Sequence, residues 1–423
     1  MHASSSRFLF AAGCVAVLVA GCATAPPPAA VADRPHAQLL DPARFPEIDA
    51  AVARAVAAHQ LPGAVVHLER GGASYEKAYG KLSYEADAPP VRKATVFDAA
   101  SLSKVLATAP SVLKLAEEGR IDLDAKLSRY FPECANNGKE NITIRHLLTH
   151  SSGLPSGLPA TPAWHGDAAA HALACSQVPT HPPGTFFRYS DINYILLGQL
   201  VQKVAGMPLD VFARTRIFEP LGMLDTGYLP LRRMDAGAIA LIAPTQKGRD
   251  GQDGGASAHG DLAPGQLLQG VVHDPTARRM DGVAGSAGVF TTAHDVARYA
   301  RMLLQGGELD GVRVLSPESV RLMTTVQSPA GIEALRGLGM DINSPYALRP
   351  RGTLFPVGSY GHTGFTGCVL WIDPGSRTFY VLLSNRVYPD DKSNVLALYT
   401  TLGTLAAQAA SVAAPHTAPL AAP

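Results

Sequence analysis

Apolar residues first fall into register between Phe45 and His59, where Ile48, Val52 and Val56 recur at helical spacing. The pattern then changes period. Gly63 to Arg70 reads as a strand, Gly71-Gly72 as a two-residue turn, and Ala73 to Tyr79 as the return strand of a hairpin. The far end mirrors this: Cys368 to Ile372 and Thr378 to Leu383 are strand-like, with the turn Asp373-Pro374-Gly375-Ser376 between them, and Leu396 to Ala410 reads as a helix. The centre is helical: Ser103 to Glu118, Ile144 to Leu148, Tyr194 to Val204 and His294 to Leu304 all carry apolar residues at helical spacing. Gly248 to Gly270, rich in Gly, Asp and Ala, reads as a long loop. Strands at both ends with helices between predict an α+β fold: one antiparallel sheet built from both ends, flanked by helices, with a mostly α-helical insertion. A site is expected in the cleft between the lobes.

Composition narrows the class. The 423 residues are 47% hydrophobic and 17% charged, ordinary for a globular chain. A formal net charge of +1 gives no electrostatic case for nucleic acid. No internal repeat is present, and no cofactor is implied.

The first residues differ in character. Arg7, the apolar run Phe8 to Ala20, and Gly21-Cys22 describe a secretory signal too short to span a bilayer. Val19-Ala20-Gly21-Cys22 resembles the lipobox of bacterial lipoproteins, which implies lipidation of Cys22 and an outer-membrane anchor facing the periplasm. The expected organisation is a signal peptide at 1–21, a lipid-anchored Ala/Pro-rich linker at 22–44, one domain at 45–411 and a disordered tail at 412–423. Within the domain the sheet lobe takes 45–100 and 281–411, and the helical lobe 101–280. Cys134, Cys175 and Cys368 remain in the mature chain. Cys134 and Cys175 are either a bridge or buried thiols.

The chemistry centres on Ser101-Leu102-Ser103-Lys104 at a helix start. Residues at i and i+3 share a face, so the Ser101 hydroxyl and the Lys104 amine meet. A lysine whose pKa is lowered by burial and nearby positive charge is expected to activate the serine. Ser111-Val112-Leu113-Lys114 repeats the pattern mid-helix and is read as chance. Tyr189-Ser190-Asp191 precedes a helix and offers a proton relay; His362-Thr363-Gly364 precedes a strand and offers a substrate-binding edge. The N–H of Phe365 would complete an oxyanion hole with that of Ser101. His146 and His150 lie four apart but lack the glutamate of a zinc protease, so packing and capping are expected and no metal.

Taken in order, these motifs resemble the serine β-lactamase and penicillin-binding-protein superfamily, over about Pro62 to Arg386. Phe97 to Lys104, Thr143 to Leu154, Gly282 to Phe290 and Tyr360 to Gly367 carry the resemblance. The nearest branch is class C-like, with its D-alanyl-D-alanine carboxypeptidases, penicillin-binding-protein-4B-like members and family VIII esterases. The resemblance implies Ser101 as acylated nucleophile, Lys104 as its partner and Tyr189 as general base and acid. It implies Asp191, His362, Thr363, Gly364 and Phe365 around the substrate, and places Val272-His273-Asp274 at the cleft without a chemical step. Two departures stand out. Asp191 replaces an asparagine and cannot donate to a substrate carbonyl, and His362 replaces a lysine. Both argue against efficient β-lactam turnover. The expectation is an acyl-enzyme hydrolase acting on a small molecule or peptidoglycan peptide, with D-Ala-D-Ala peptides first and small esters second. The rival is a non-catalytic binding lipoprotein. Oligomeric state is not legible.

Overall fold

The computed structural model describes residues 39–248 and 262–412. The expected signal peptide, Cys22, most of the linker and residues 413–423 of the tail lie outside these. Leu40 is buried and the Asp41 N–H donates to the Ala409 carbonyl at 2.7 Å. Among the described residues no single helix is long and apolar enough to cross a membrane.

The N-terminal helix α1 (Phe45–Ala57) leads into strands β1 (Gly63–Arg70) and β2 (Ala73–Gly80). Gly71 and Gly72 both hold positive φ, as a two-residue hairpin turn requires. Two short strands, β3 (Phe97–Asp98) and β4 (Phe290–Thr291), pair with each other beside the main sheet. β5 (Leu335–Arg336), β6 (Asp341–Asn343), β7 (Tyr360–Gly364), β8 (Cys368–Asp373) and β9 (Thr378–Ser384) complete that sheet. Its order is β2-β1-β9-β8-β7-β6-β5, antiparallel throughout, so the two ends of the chain meet at the β1–β9 pair, with Ala64 opposite Ser384. The predicted sheet from both termini is the sheet observed.

The main helices are α2 (Ala109–Glu117), α3 (Asp167–Ser176), α4 (Asp191–Ala205), α5 (Ala293–Leu304) and α6 (Leu396–Ala409). Both sheet faces are covered. Val66, Leu68, Trp371, Tyr380 and Leu382 pack with Ile48 and Val52 of α1 and Leu402 of α6. On the opposite face Val65, Leu370, Ile372, Val381 and Leu383 share a core with Val296 and Ala300 of α5 and with the central helices. Alternation along β1 sorts its side chains between these two cores.

Two expectations needed revision. The helix predicted from Ser103 begins as one π-helical turn, Lys104–Thr108, before α2 takes over at Ala109. All five residues of that turn are buried; its extra residue per turn lets Lys104 and the α2 core stripe face different neighbours. The loop expected over Gly248 to Gly270 is shorter, because Leu267–Leu268 pairs with Gln246–Lys247; residues 249–261 lie outside the described residues.

Cys134 and Cys175 form a disulfide across a sequence separation of 41 residues, and Cys368 is a buried free thiol. Closing a loop of that length restricts the unfolded chain by roughly 4 kcal/mol. The pair Cys134→Ser and Cys175→Ser is expected to lower unfolding free energy by about 2–4 kcal/mol in urea titration.

β1 also carries a buried ionic chain. His67 lies with Nδ1 2.8 Å from Glu76 and Nε2 3.2 Å from Glu69, and Glu69 receives Arg301 of α5 at 2.6 Å. Burial pulls the His67 pKa down, but the two carboxylates more than offset it and the net shift is upward. Burial acts to raise Glu69, yet Arg301 and His67 bring it to about 2. The signs fix the pH response. The His67 contribution is complete below its unfolded value near 6.5 and fades as pH rises through the higher folded value; that of Glu69 fades as pH falls from about 4.5 toward 2. His67→Gln is expected to lower the thermal midpoint at pH 6 and flatten its decline at higher pH, measured by calorimetry across pH 5–9.

Candidate active site

Ser101 sits in a one-turn 3-10 helix, Ala100–Leu102, directly after β3. Ala100 holds a φ of +46°, strained for a residue with a side chain, and its N–H is held by the Asp98 carboxylate at 2.8 Å. This bend presents the Ser101 hydroxyl to the cleft. Lys104 is wholly buried beneath it. Its Nζ donates to Ser101 Oγ at 3.0 Å and to the Ser286 carbonyl at 2.9 Å, and lies 2.7 Å from Asp191 Oδ1. The ammonium thus has two hydrogen-bond acceptors and one carboxylate in ion-pair contact.

The expected sign of the lysine shift is overturned. Burial does push the Lys104 pKa down, but the Asp191 carboxylate and the Tyr189 hydroxyl outweigh it and the pKa rises above the ordinary lysine value. Lys104 is therefore an ammonium, not a free base. Asp191 Oδ1 lies against Lys104, while 35% of the Asp191 side chain stays exposed at the cleft side.

Tyr189 stands over the pair. Its hydroxyl interacts with Ser101 and with Lys104, and the Lys104 Nζ lies 5.0 Å from its ring centroid. The ring is held by His150 at 4.4 Å and Tyr346 at 5.4 Å. Burial raises the Tyr189 pKa; Lys104 lowers it and Asp191 raises it again, leaving it above the ordinary phenol. His150 earns its place by packing: its Nδ1 accepts the N–H of Ser190 and the Asn193 amide, which positions the start of α4. His146 completes a capping box with Thr143. Ser111, the decoy serine, donates to the Ala107 carbonyl, while its companion Lys114 turns to Glu117.

A cavity of about 510 Å³ opens from Ser101 and Tyr189 to His362, Thr363, Gly364 and Phe365. Gly364 packs so close to the Ala99 carbonyl that a Cβ there would lie 2.4 Å from it, so β7 abuts the nucleophile turn only because this residue is glycine. His362 is buried, and desolvation with the nearby charges of Arg336 and Lys104 holds its pKa well below the ordinary value. The ring is neutral, and Nδ1 lies 2.7 Å from the Thr363 carbonyl, which makes Nδ1 the protonated nitrogen. Sequence reasoning missed the charge in the far wall: Arg336, Arg386 and Lys392 line the cavity with one carboxylate, Asp341. Arg336 lies in an unremarkable Leu335-Arg336-Gly337 stretch of an edge strand, and only the fold brings it beside His362.

Among the described residues, Cys134, His171 and Cys175 are the one cluster that gathers metal-ligand atoms. The two sulfurs there are joined to each other, so neither is a thiolate ligand.

Known proteins resemble this chain in sequence and in fold. The β-lactamase family profile matches residues 48–403. A provisionally named D-alanyl-D-alanine carboxypeptidase of Escherichia coli (strain K12) is 34% identical over 337 residues, covering 74% of this chain and 75% of that protein. Among solved structures, an octameric penicillin-binding protein homologue from Pyrococcus abyssi has a TM-score of 0.64 at 22% identity over 86% of this chain and 79% of its own. A family VIII carboxylesterase has a TM-score of 0.64 at 20% identity over 88% of this chain and 98% of its own. At those identities the likeness of the solved structures establishes the fold, and the family profile and the carboxypeptidase relative establish the kinship. The chain belongs to the β-lactamase family, the serine hydrolases whose superfamily includes the penicillin-binding proteins.

Proposed function

We propose that this serine hydrolase works through an acyl-enzyme on Ser101 and acts on peptides ending in D-Ala-D-Ala. The observation that carries the reading is the Ser101 hydroxyl hydrogen-bonded to a buried Lys104 ammonium beneath Tyr189. The fraction of Tyr189 in its phenolate form, small because its pKa stands above the ordinary phenol, takes the Ser101 proton as Oγ attacks the carbonyl. Lys104, kept charged by Asp191, holds Oγ in place and stabilises that phenolate. The N–H groups of Ser101 and Phe365 take the oxyanion. Tyr189 returns the proton to the leaving group, and water then releases the acyl chain.

Charge in the cavity supports a substrate with a free carboxylate. Arg336, Arg386 and Lys392 line it; Arg336 is paired with Asp341 at 3.4 Å and Lys392 with Asp390 at 3.2 Å, so the three cations exceed these two carboxylates by one, and Arg336 lies close enough to His362 to lower its pKa. The carboxypeptidase relative points the same way and to a place in the cell envelope, which Cys22 would reach as an outer-membrane lipoprotein anchor. The second reading, an esterase, draws on the apolar side of the same cavity, where Tyr346, Val395, Leu396 and Tyr399 would accommodate an acyl chain. A muropeptide digest analysed by mass spectrometry separates the two: loss of a terminal D-Ala supports the peptidase, and unchanged muropeptides with turnover of p-nitrophenyl butyrate support the esterase.

Two outcomes test the machinery. Ser101→Ala is expected to abolish labelling by a fluorophosphonate probe; persistent labelling would place the nucleophile elsewhere. In Asp191→Asn, loss of the carboxylate lowers the pKa of Tyr189 and of Lys104 together, since that charge raises both. The rate limb that needs the Tyr189 phenolate and the limb that needs the Lys104 ammonium should therefore both move to lower pH. An alkaline shift of the pH–rate profile would contradict these roles.

A further inference from the structure

Asp98 is a buried carboxylate for which the chemistry above has no use. It ends β3, three positions before the nucleophile, and is 1% exposed. A carboxylate costs several kcal/mol to bury, so filling space alone is better done by an apolar residue. Its contacts are all to main-chain or hydroxyl groups that frame the site. Oδ1 accepts the Ala100 N–H at 2.8 Å, the residue whose strained φ throws Ser101 forward. Oδ2 accepts the N–H of His273 at 2.6 Å. The Asp98 carbonyl accepts the Thr366 hydroxyl at 2.7 Å.

Those last two contacts both lead to Phe365. Thr366 is the next residue, and its own carbonyl accepts the N–H of Arg386 at 2.9 Å. Arg386 Nε also donates to the Phe365 carbonyl at 2.7 Å, and its guanidinium lies 4.3 Å from the Phe365 ring centroid. The His273 ring stacks on the same phenyl ring at 5.8 Å, and its Nε2 lies 3.0 Å from Asp391. Asp98 thus reaches the Ser101 turn through one oxygen. Its main-chain carbonyl reaches the turn bearing Phe365 through Thr366, and its other carboxylate oxygen reaches the phenyl ring by way of His273.

We propose that Asp98 is the positioning residue of the oxyanion hole, fixing the N–H of Ser101 and the N–H of Phe365 relative to one another from beneath, with His273 and Thr366 as its arms. The inference rests on the acyl-enzyme reading with Ser101 as nucleophile. It gives the Val272-His273-Asp274 motif a part, since the His273 main chain is what Asp98 holds and its ring is what steadies Phe365. Asp98 touches no substrate. Its effect is on the placement of donors that meet a full negative charge only in the transition state, so it belongs in kcat and not in KM.

The test uses the full chain with p-nitrophenyl butyrate as substrate, and a thermal midpoint for each variant. Asp98→Asn keeps the shape but puts an NH2 against one of two N–H donors. It is expected to lower kcat by about 10- to 100-fold, with KM within about 2-fold of the parent. Thr366→Val removes the hydroxyl anchor at constant size and serves if Asp98→Asn does not fold. It should lower kcat in the same way, and Thr366→Ser, which keeps the hydroxyl, should recover it. The assignment is overturned if Thr366→Val retains parental kcat, if Thr366→Val and Thr366→Ser lose it equally, or if folded Asp98→Asn changes KM or thermal midpoint with kcat intact. Ser101→Ala separates the two levels. Continued fluorophosphonate labelling of that variant would remove the acyl-enzyme reading and this assignment with it. Absence of label with parental kcat in Thr366→Val would remove this assignment alone.

Discussion

A lysine ammonium with no exposed surface must find acceptors for its N–H groups, or its burial costs several kcal/mol. Lys104 finds them on three separate stretches of chain. Ser101 lies on its own turn, Ser286 on the segment before β4, and Asp191 at the start of α4. The requirement to satisfy one charge therefore draws together the nucleophile, the segment Gly282 to Phe290 and the helix preceded by Tyr189. Neighbouring bonds tighten the same joint: Thr108 Oγ1 donates to the Gly285 carbonyl at 2.7 Å, and Ser103 Oγ accepts the Val289 N–H at 3.0 Å. Removing Asp191 would leave the ammonium short of its one anionic partner, which is why the pair governs both the shape of the site and its titration.

The sheet supplies the opposite wall. Because β1 and β9 pair across the two ends of the chain, β7 and β8 are held in a sheet with both faces covered. Gly364 at the end of β7 can then press against the Ala99 carbonyl. The cavity is the gap left between this rigid edge and the helical side that carries Tyr189, so its floor is fixed by backbone packing and its walls by side chains.

Most of the frame was readable because it is local. The hairpin announces itself in Gly71-Gly72, the strands at the far end in their β-rich runs around Asp373 to Ser376, and Ser101–Lys104 in a spacing that one helical turn satisfies. What escaped was what distant segments do to one another. The sign of the Lys104 shift depends on a carboxylate from α4, and a reading confined to the Ser-x-x-Lys stretch contains only the burial that works the other way. Arg336 gave no sign at all, since a lone arginine between Leu335 and Gly337 has no pattern; its role emerges from the pairing of edge strands. The π turn at Lys104 was hidden for a related reason, because apolar spacing is almost the same for α and π geometry over five residues.

That π turn makes the nucleophile helix one residue longer than an α-helix following the same path. Seen as a matter of chain length, the site is built on a surplus residue. Deleting any one residue between Val105 and Thr108 would let the regular α-helical ladder close, a gain in backbone regularity. The same deletion would leave Lys104 on its face, since a π turn absorbs its extra residue within one turn; what is lost is the widened turn that buries all five residues from Lys104 to Thr108. The π turn thus lets the chain carry one more buried side chain at the base of the nucleophile than a regular helix on that path, with Ser101 and Lys104 still one turn apart.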